Sequence, residues 1–204
     1  MTGHNGDEGS IFVPPSTDVN DDASYQDYLK SLITPLVFNA SALNHITQVL
    51  YPPIFDGSQG YTTQAERTNL TIADLVFVCN TRALTQADFD VPTYGYVFSA
   101  QPPPPLHGVD LNSTFYDFGE PEGVNTTVAK ALQAYIVRFA QTGSPNGPGL
   151  PDFPPVNAGT KVQNLGRDFI GPVEDEGGVK QLEDRCRYWQ DAPYLMESDL
   201  MTPL

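Results

Sequence analysis

Apolar residues recur at helical spacing through "NTTVAKALQAYIVRFAQTG", where Val128, Leu132, Tyr135, Ile136 and Phe139 mark one face. The pattern predicts a helix with Gly143 as its stop. Three helices are expected before it. The first covers "SYQDYLKSLI", approached through the acid-rich "TDVNDDAS", with Asp22 or Ser24 as its cap. The second is "ASALNHITQVLY", stopped by Pro52 and Pro53, and the third is "TIADLVFVCNTRAL", which carries Cys79. "PTYGYVFSAQ" alternates and is rich in Tyr, Val and Phe, which suits a strand and leads into the proline run of "QPPPPLHGVDL". "SPNGPGLPDFPPVNAG" reads as loop, "KVQNLG" as a short strand, and the acidic "EDEGG" leads to a last helix, "VKQLEDRCRYWQ". There is no internal repeat and no linker long enough to split the chain. This order of elements suggests one mixed α/β piece.

Composition narrows the partners. The 204 residues carry 25 acids against 10 bases, a net charge of -15. Such a surface repels phosphate backbones and anionic lipid, so nucleic acid and membrane surfaces are not expected partners. No apolar run approaches the length of a transmembrane span, and no secretory leader can be read.

Two features point to the secretory route. Asn-x-Ser/Thr sequons stand at Asn39, Asn69, Asn112 and Asn125. With 11 Asn, and Ser plus Thr at 27 of 204 residues, chance gives roughly one or two. Asn69 and Asn125 serve equally well as helix N-caps. The two cysteines lie far apart, with no CxxC and no histidine spaced for zinc, so a structural disulfide fits better than a metal site. The expected location is secreted, or vacuolar.

The chemistry-bearing residues are few. Of the three histidines, His45 sits within a helical pattern, where packing or a surface position is expected. His4 lies one turn from Glu8 and suits a structural role in that turn. His107 follows a strand and a proline-stiffened loop, and Gly108 lets the backbone turn sharply after it. That is where α/β enzymes place a general base. Glu8, between Asp7 and Gly9, stands on a Gly-rich turn at the other end of this stretch. An acid and a histidine on separate turns fit the last two members of a nucleophilic triad, in which the acid fixes the histidine tautomer. In α/β-hydrolases the nucleophile precedes the acid, so it would stand before residue 1. The chain contains no Gly-x-Ser-x-Gly; "DGSQG" places glycines around Ser58 at the wrong spacing.

Four separated motifs resemble the type-B carboxylesterase, cholinesterase and fungal lipase family, in the family's order. "GHNGDEGSIF" is similar to its acid-bearing turn, which uses Glu and places the acid at Glu8. "YGYVFSAQPPPPLHGVDLNSTFYDFG" resembles its strand and histidine loop, carrying the catalytic histidine to His107. "AYIVRFAQTGSPN" resembles its helix ending in a Thr-Gly-x-Pro-Asn turn, and "CRYW" its last helix. The resemblance implies the C-terminal part of one α/β-hydrolase domain spanning residues 1–204, beginning mid-domain, with an incomplete central sheet and packed helices. It implies a disulfide between Cys79 and Cys186, ester hydrolysis through an acyl-enzyme, a small-molecule or lipid ester as substrate, and no metal or organic cofactor. The serine, the oxyanion donors and the acid-bearing strand would lie upstream. Adhesion proteins share this fold, so a non-catalytic relative is a rival reading, and an inactive truncated product is another.

Overall fold

A computed structural model of the protein describes residues 1–87, 90–100, 104–117, 119, 123–156, 161–174 and 180–195. Parts of the proline run (101–103), of "EDEGG" (175–178) and residue 179 of the expected last helix lie outside the described residues.

Among the described residues four strands form one sheet, in the order β1 (Thr2–Asn5), β2 (Gly95–Ser99), β3 (Lys161–Gly166) and β4 (Ile170–Glu174). β1 and β2 are parallel, as are β2 and β3, while β4 returns antiparallel to β3. Between β1 and β2 the chain makes α1 (Asp22–Leu32), α2 (Ala40–His45), α3 (Gln64–Ile72) and α4 (Cys79–Gln86). A short α5 (Asp110–Thr114) and the long α6 (Thr126–Thr142) connect β2 to β3, and α7 (Lys180–Asp191) follows β4.

The helices follow their caps. Asp21, not Asp22 or Ser24, caps α1: its carboxylate accepts the Ser24 N–H at 2.8 Å, and the Ser24 hydroxyl accepts the Asp21 N–H in return. Asn39 caps α2 and Asn125 caps α6. Asn69 is no cap, because it lies inside α3. Two π-helical turns, Ile46–Leu50 and Ala73–Val78, extend α2 and join α3 to α4. Gly143 ends α6 in the left-handed conformation.

Three elements differ from the sequence reading. The opening segment is not a turn alone: Thr2–Asn5 is a strand whose register runs from Thr2 opposite Gly95 to Asn5 opposite Phe98. The acid-bearing strand is therefore inside the chain. The third helix starts at Gln64, because Thr63 caps it and accepts the Glu66 N–H at 3.2 Å. The antiparallel β4 is an additional strand in "IGPVE", and its Pro172 is tolerated because β4 lies at the sheet edge.

Strand alternation divides the core. Tyr94, Phe98 and Leu165 pack with Leu132 and Tyr135 of α6 and with Phe153. Val97 and Val162 lie on the opposite side with Val156, where α4 places Thr85 over Gly95. A second core gathers Tyr25, Leu29, Ile46, Tyr51, Leu182 and Trp189 among the helices. There Cys79 of α4 is bonded to Cys186 of α7, closing a separation of 107 residues.

Candidate active site

Because β1 and β2 are parallel, both chains leave the sheet at the same end. Their exits stay side by side. The Gly6 N–H donates to Phe98 O at 3.0 Å, the Asp7 N–H donates to Pro105 O at 3.0 Å, and Asp7 bridges to Leu106. One residue beyond that bridge on each chain stand Glu8 and His107.

They meet. His107 Nδ1 lies 2.5 Å from Glu8 Oε2. Glu8 is 4% exposed, and its other oxygen, Oε1, accepts the Asn5 N–H at 2.5 Å and Asn5 Nδ2 at 3.3 Å. An ionised carboxylate has no proton to give, so the short contact to His107 requires a hydrogen on Nδ1. In the neutral ring that leaves Nε2 as the basic nitrogen, the form a general base needs. The ring packs against Phe77, with centroids 4.6 Å apart, and Phe12, at 5.4 Å. Its side chain nevertheless remains 40% exposed.

Local backbone demands explain the glycines on both sides. Gly108 has φ +78°, a left-handed conformation that side chains disfavour, and it turns the chain directly after the histidine. At Gly9 a Cβ would sit 2.2 Å from the Asn69 carbonyl oxygen, so α3 presses on the acid turn only because that side chain is absent. Asp7 is occupied elsewhere: its Oδ1 accepts Asn69 Nδ2 at 3.0 Å and the Ser10 N–H at 3.3 Å. A cavity of about 570 Å³ opens beside this turn, lined in part by Asn5, Glu8, Asn69, Asp74 and Arg185.

The remaining expected positions resolve as follows. His4 is buried on β1, with Nδ1 2.9 Å from Asn5 O. His45 stacks on Tyr188 at 4.8 Å between centroids, a packing position between α2 and α7. Ser58 donates its hydroxyl to Asp56 Oδ1 at 2.5 Å. Of the sequon asparagines, Asn112 is exposed on α5, whereas Asn39 is buried. Among the described residues no group of three or more His, Cys, Asp or Glu could hold a metal ion, and no helix is long and apolar enough to cross a membrane. Sequence reading alone did not single out Asn5, Asp110, Phe12 or Phe77. Asn5 stands three residues before the acid and Asp110 three after the histidine, so turn spacing was the available signal.

A parallel pair of strands, each followed by one member of an acid–histidine pair, is the arrangement of the C-terminal part of an α/β-hydrolase fold. The fold has a solved counterpart in the crystal structure of EstA from Aspergillus niger. It superposes with a TM-score of 0.70 over 96% of this chain and 40% of that one, at 17% identity. The carboxylesterase family model matches residues 1–173, and the chain belongs to that family. It is 37% identical over 195 residues to carboxylesterase patB of Penicillium expansum, covering 95% of this chain. It is 39% identical over 194 residues to carboxylesterase patB of Aspergillus clavatus, covering 93%. The chain spans only about a third of the length of these relatives, 33% and 32%.

Proposed function

We propose that these residues supply the acid and the base of a serine ester hydrolase, with Glu8 orienting His107. The observation that carries this is the 2.5 Å contact between His107 Nδ1 and the buried Glu8 carboxylate. In the proposed reaction Nε2 takes the proton of a serine hydroxyl as its oxygen attacks the ester carbonyl carbon. The imidazolium then returns that proton to the departing alcohol, leaving an acyl-serine. The same nitrogen next takes a proton from water, whose oxygen attacks the acyl carbon, and finally returns it to the serine as the acid leaves. Glu8 keeps the proton on Nδ1 throughout and stabilises the imidazolium. Residues 1–204 form the C-terminal part of one domain in this reading, with the serine and the oxyanion donors outside them. The substrate is a carboxylic ester, and the aromatic flank of Phe12 and Phe77 suits an apolar one. The disulfide, together with the sequons, supports a secreted or vacuolar location.

The test is hydrolysis of a simple aryl ester. The 204 residues alone should show no turnover, and the full-length protein should show it. His107→Ala in the full-length protein should lower the rate by several orders of magnitude, as loss of a triad base does. A His107→Ala protein at close to the parental rate would overturn the assignment.

A further inference from the structure

Beyond the pair itself, the two loops are tied a second time. The Asn5 side chain sits between two carboxylates: its Nδ2 donates to Glu8 Oε1 at 3.3 Å and to Asp110 Oδ1 at 3.2 Å. The other oxygen of Asp110 accepts the Tyr96 hydroxyl at 3.3 Å. Asn5 ends β1, three residues before the acid, and Asp110 opens α5, three residues after the histidine. We infer that Asp110 is a positioning residue for the acid–histidine pair, acting through Asn5; this rests on the proposed roles of Glu8 and His107.

The geometry supports a mechanical role. An amide NH₂ has two hydrogens, and here each faces a different carboxylate. With only one acceptor in reach, the Asn5 side chain could rotate to another rotamer and release its share of Glu8. Asp110 opposes that rotation, because leaving the bridge would strand the buried Asn5 donor. Asn5 is 4% exposed, so water cannot readily substitute. Tyr96 anchors the far end to β2, and its hydroxyl is pushed far above the ordinary phenol range by burial first and by Asp110 second. It therefore stays protonated and remains a donor at any working pH. The chain of contacts runs from the sheet through Tyr96, Asp110 and Asn5 to Glu8. Direct contact with substrate is not required of any of them.

The experiment compares Asp110→Ala, Asp110→Asn, Asn5→Ala and the double Asn5→Ala/Asp110→Ala in the full-length protein, with aryl ester hydrolysis and thermal melts as readouts. Asp110→Ala should lower kcat by about 10- to 100-fold, the scale of a misplaced catalytic group, with KM within about twofold. Asp110→Asn keeps an acceptor oxygen for Asn5 and should recover most of that loss. Asn5→Ala should resemble Asp110→Ala, and the double variant should be no worse than the worse single, because both break one linkage. Equal loss in Asp110→Ala and Asp110→Asn overturns positioning in favour of charge. A parental kcat in Asp110→Ala, beside an inactive His107→Ala, overturns the proposal while leaving the site assignment intact. If His107→Ala is itself active, the site assignment falls and this proposal falls with it.

Discussion

Arg185 of α7 donates from Nε to Asp74 Oδ2 at 2.6 Å, with the Asp74 side chain 1% exposed. The Tyr51 hydroxyl donates to the same oxygen at 2.8 Å, and Trp189 Nε1 donates in turn to the Tyr51 oxygen at 2.8 Å. Burial pushes the Asp74 carboxyl above the usual carboxylate range, although Arg185 pulls it back. The short contact and the raised value point opposite ways. Desolvation outweighs attraction here, so the pair ties α7 to the π-helical turn at high electrostatic cost.

Removing one partner is therefore predicted to be severe. Arg185→Met should lower unfolding free energy by about 3–5 kcal/mol near neutral pH, since it strands a buried carboxylate. Arg187→Ala, on a pair with Glu183 at 3.0 Å whose side chains are 60% and 59% exposed, should change it by under about 1 kcal/mol. The sign of the pH response follows from the raised value. An acid titrating higher in the folded state binds protons more tightly there, so stability falls as pH rises from its unfolded value through its folded one. Lacking Arg185, the carboxyl titrates higher still, so the Arg185→Met deficit should shrink as pH falls. Urea titrations across mildly acid and neutral pH check both points. A deficit independent of pH would contradict the account.

The disulfide gives a second prediction. Cys79–Cys186 closes a 107-residue separation beside that network, and replacing both cysteines by serine should cost about 2–5 kcal/mol. Non-reducing peptide mapping of the native protein should find the two peptides linked, and quantitative iodoacetamide labelling of it would refute this.

Glycosylation should be uneven. Asn112 is exposed on α5, while Asn69 donates its amide to Asp7 and has its Oδ1 buried. A glycan must be carried on that amide nitrogen, which here is turned onto Asp7 in a part-buried contact, so attachment at Asn69 is sterically opposed. Mapping of enzymatically deglycosylated peptides should show occupancy at Asn112 and none at Asn69. Full occupancy at Asn69 would mean that this face of α3 opens before it packs.

What could be read from the sequence was what depends on local pattern. The α6 stripe, the Gly143 stop and the six residues of β3 needed only neighbours in sequence. The Glu8–His107 pair was legible because both stand on glycine-bearing turns, and because those turns resemble a known family. The start of α3 was not legible, since "QAER" reads as polar surface. Arg67 is in fact fully buried, donating to Tyr51 O at 2.8 Å, Thr47 O at 2.7 Å and Asp22 at 2.7 Å, with its guanidinium over the Tyr25 ring. No periodicity rule anticipates a charge satisfied by partners from other elements. β4 was hidden by Pro172, which only its edge position permits. Asn5 and Asp110 were hidden because each is an ordinary polar residue, at the end of β1 and the start of α5, until those ends are brought together.

The surface makes a prediction about the isolated chain. Among the described residues β1 pairs only with β2, and Phe38 and Phe115 are 73% and 77% exposed. An open strand edge with apolar surface promotes association. The 204 residues alone should bind a hydrophobic dye and tend to aggregate despite their acidity. A sharp cooperative melt of a monomer without dye binding would refute it.

Glu8→Gln tests the pair most closely, because it alters charge and donors while keeping shape. The Gln oxygen can still accept the Asn5 N–H at the position of Oε1. Its amide NH₂ then faces His107 where Oε2 had accepted a hydrogen. An NH₂ cannot accept, so Nδ1 must become the acceptor and the ring proton moves to Nε2. That is the tautomer with no basic nitrogen left for the serine. In the full-length protein kcat should fall by about 10³- to 10⁴-fold, the scale reached when the acid of a triad is made neutral. Packing changes little, so the melting temperature should stay close to parental, and His45→Ala in the same background should leave the rate unchanged. Should Glu8→Gln retain most of its rate at a parental melting temperature, Glu8 would be a structural acid and the base would act without it.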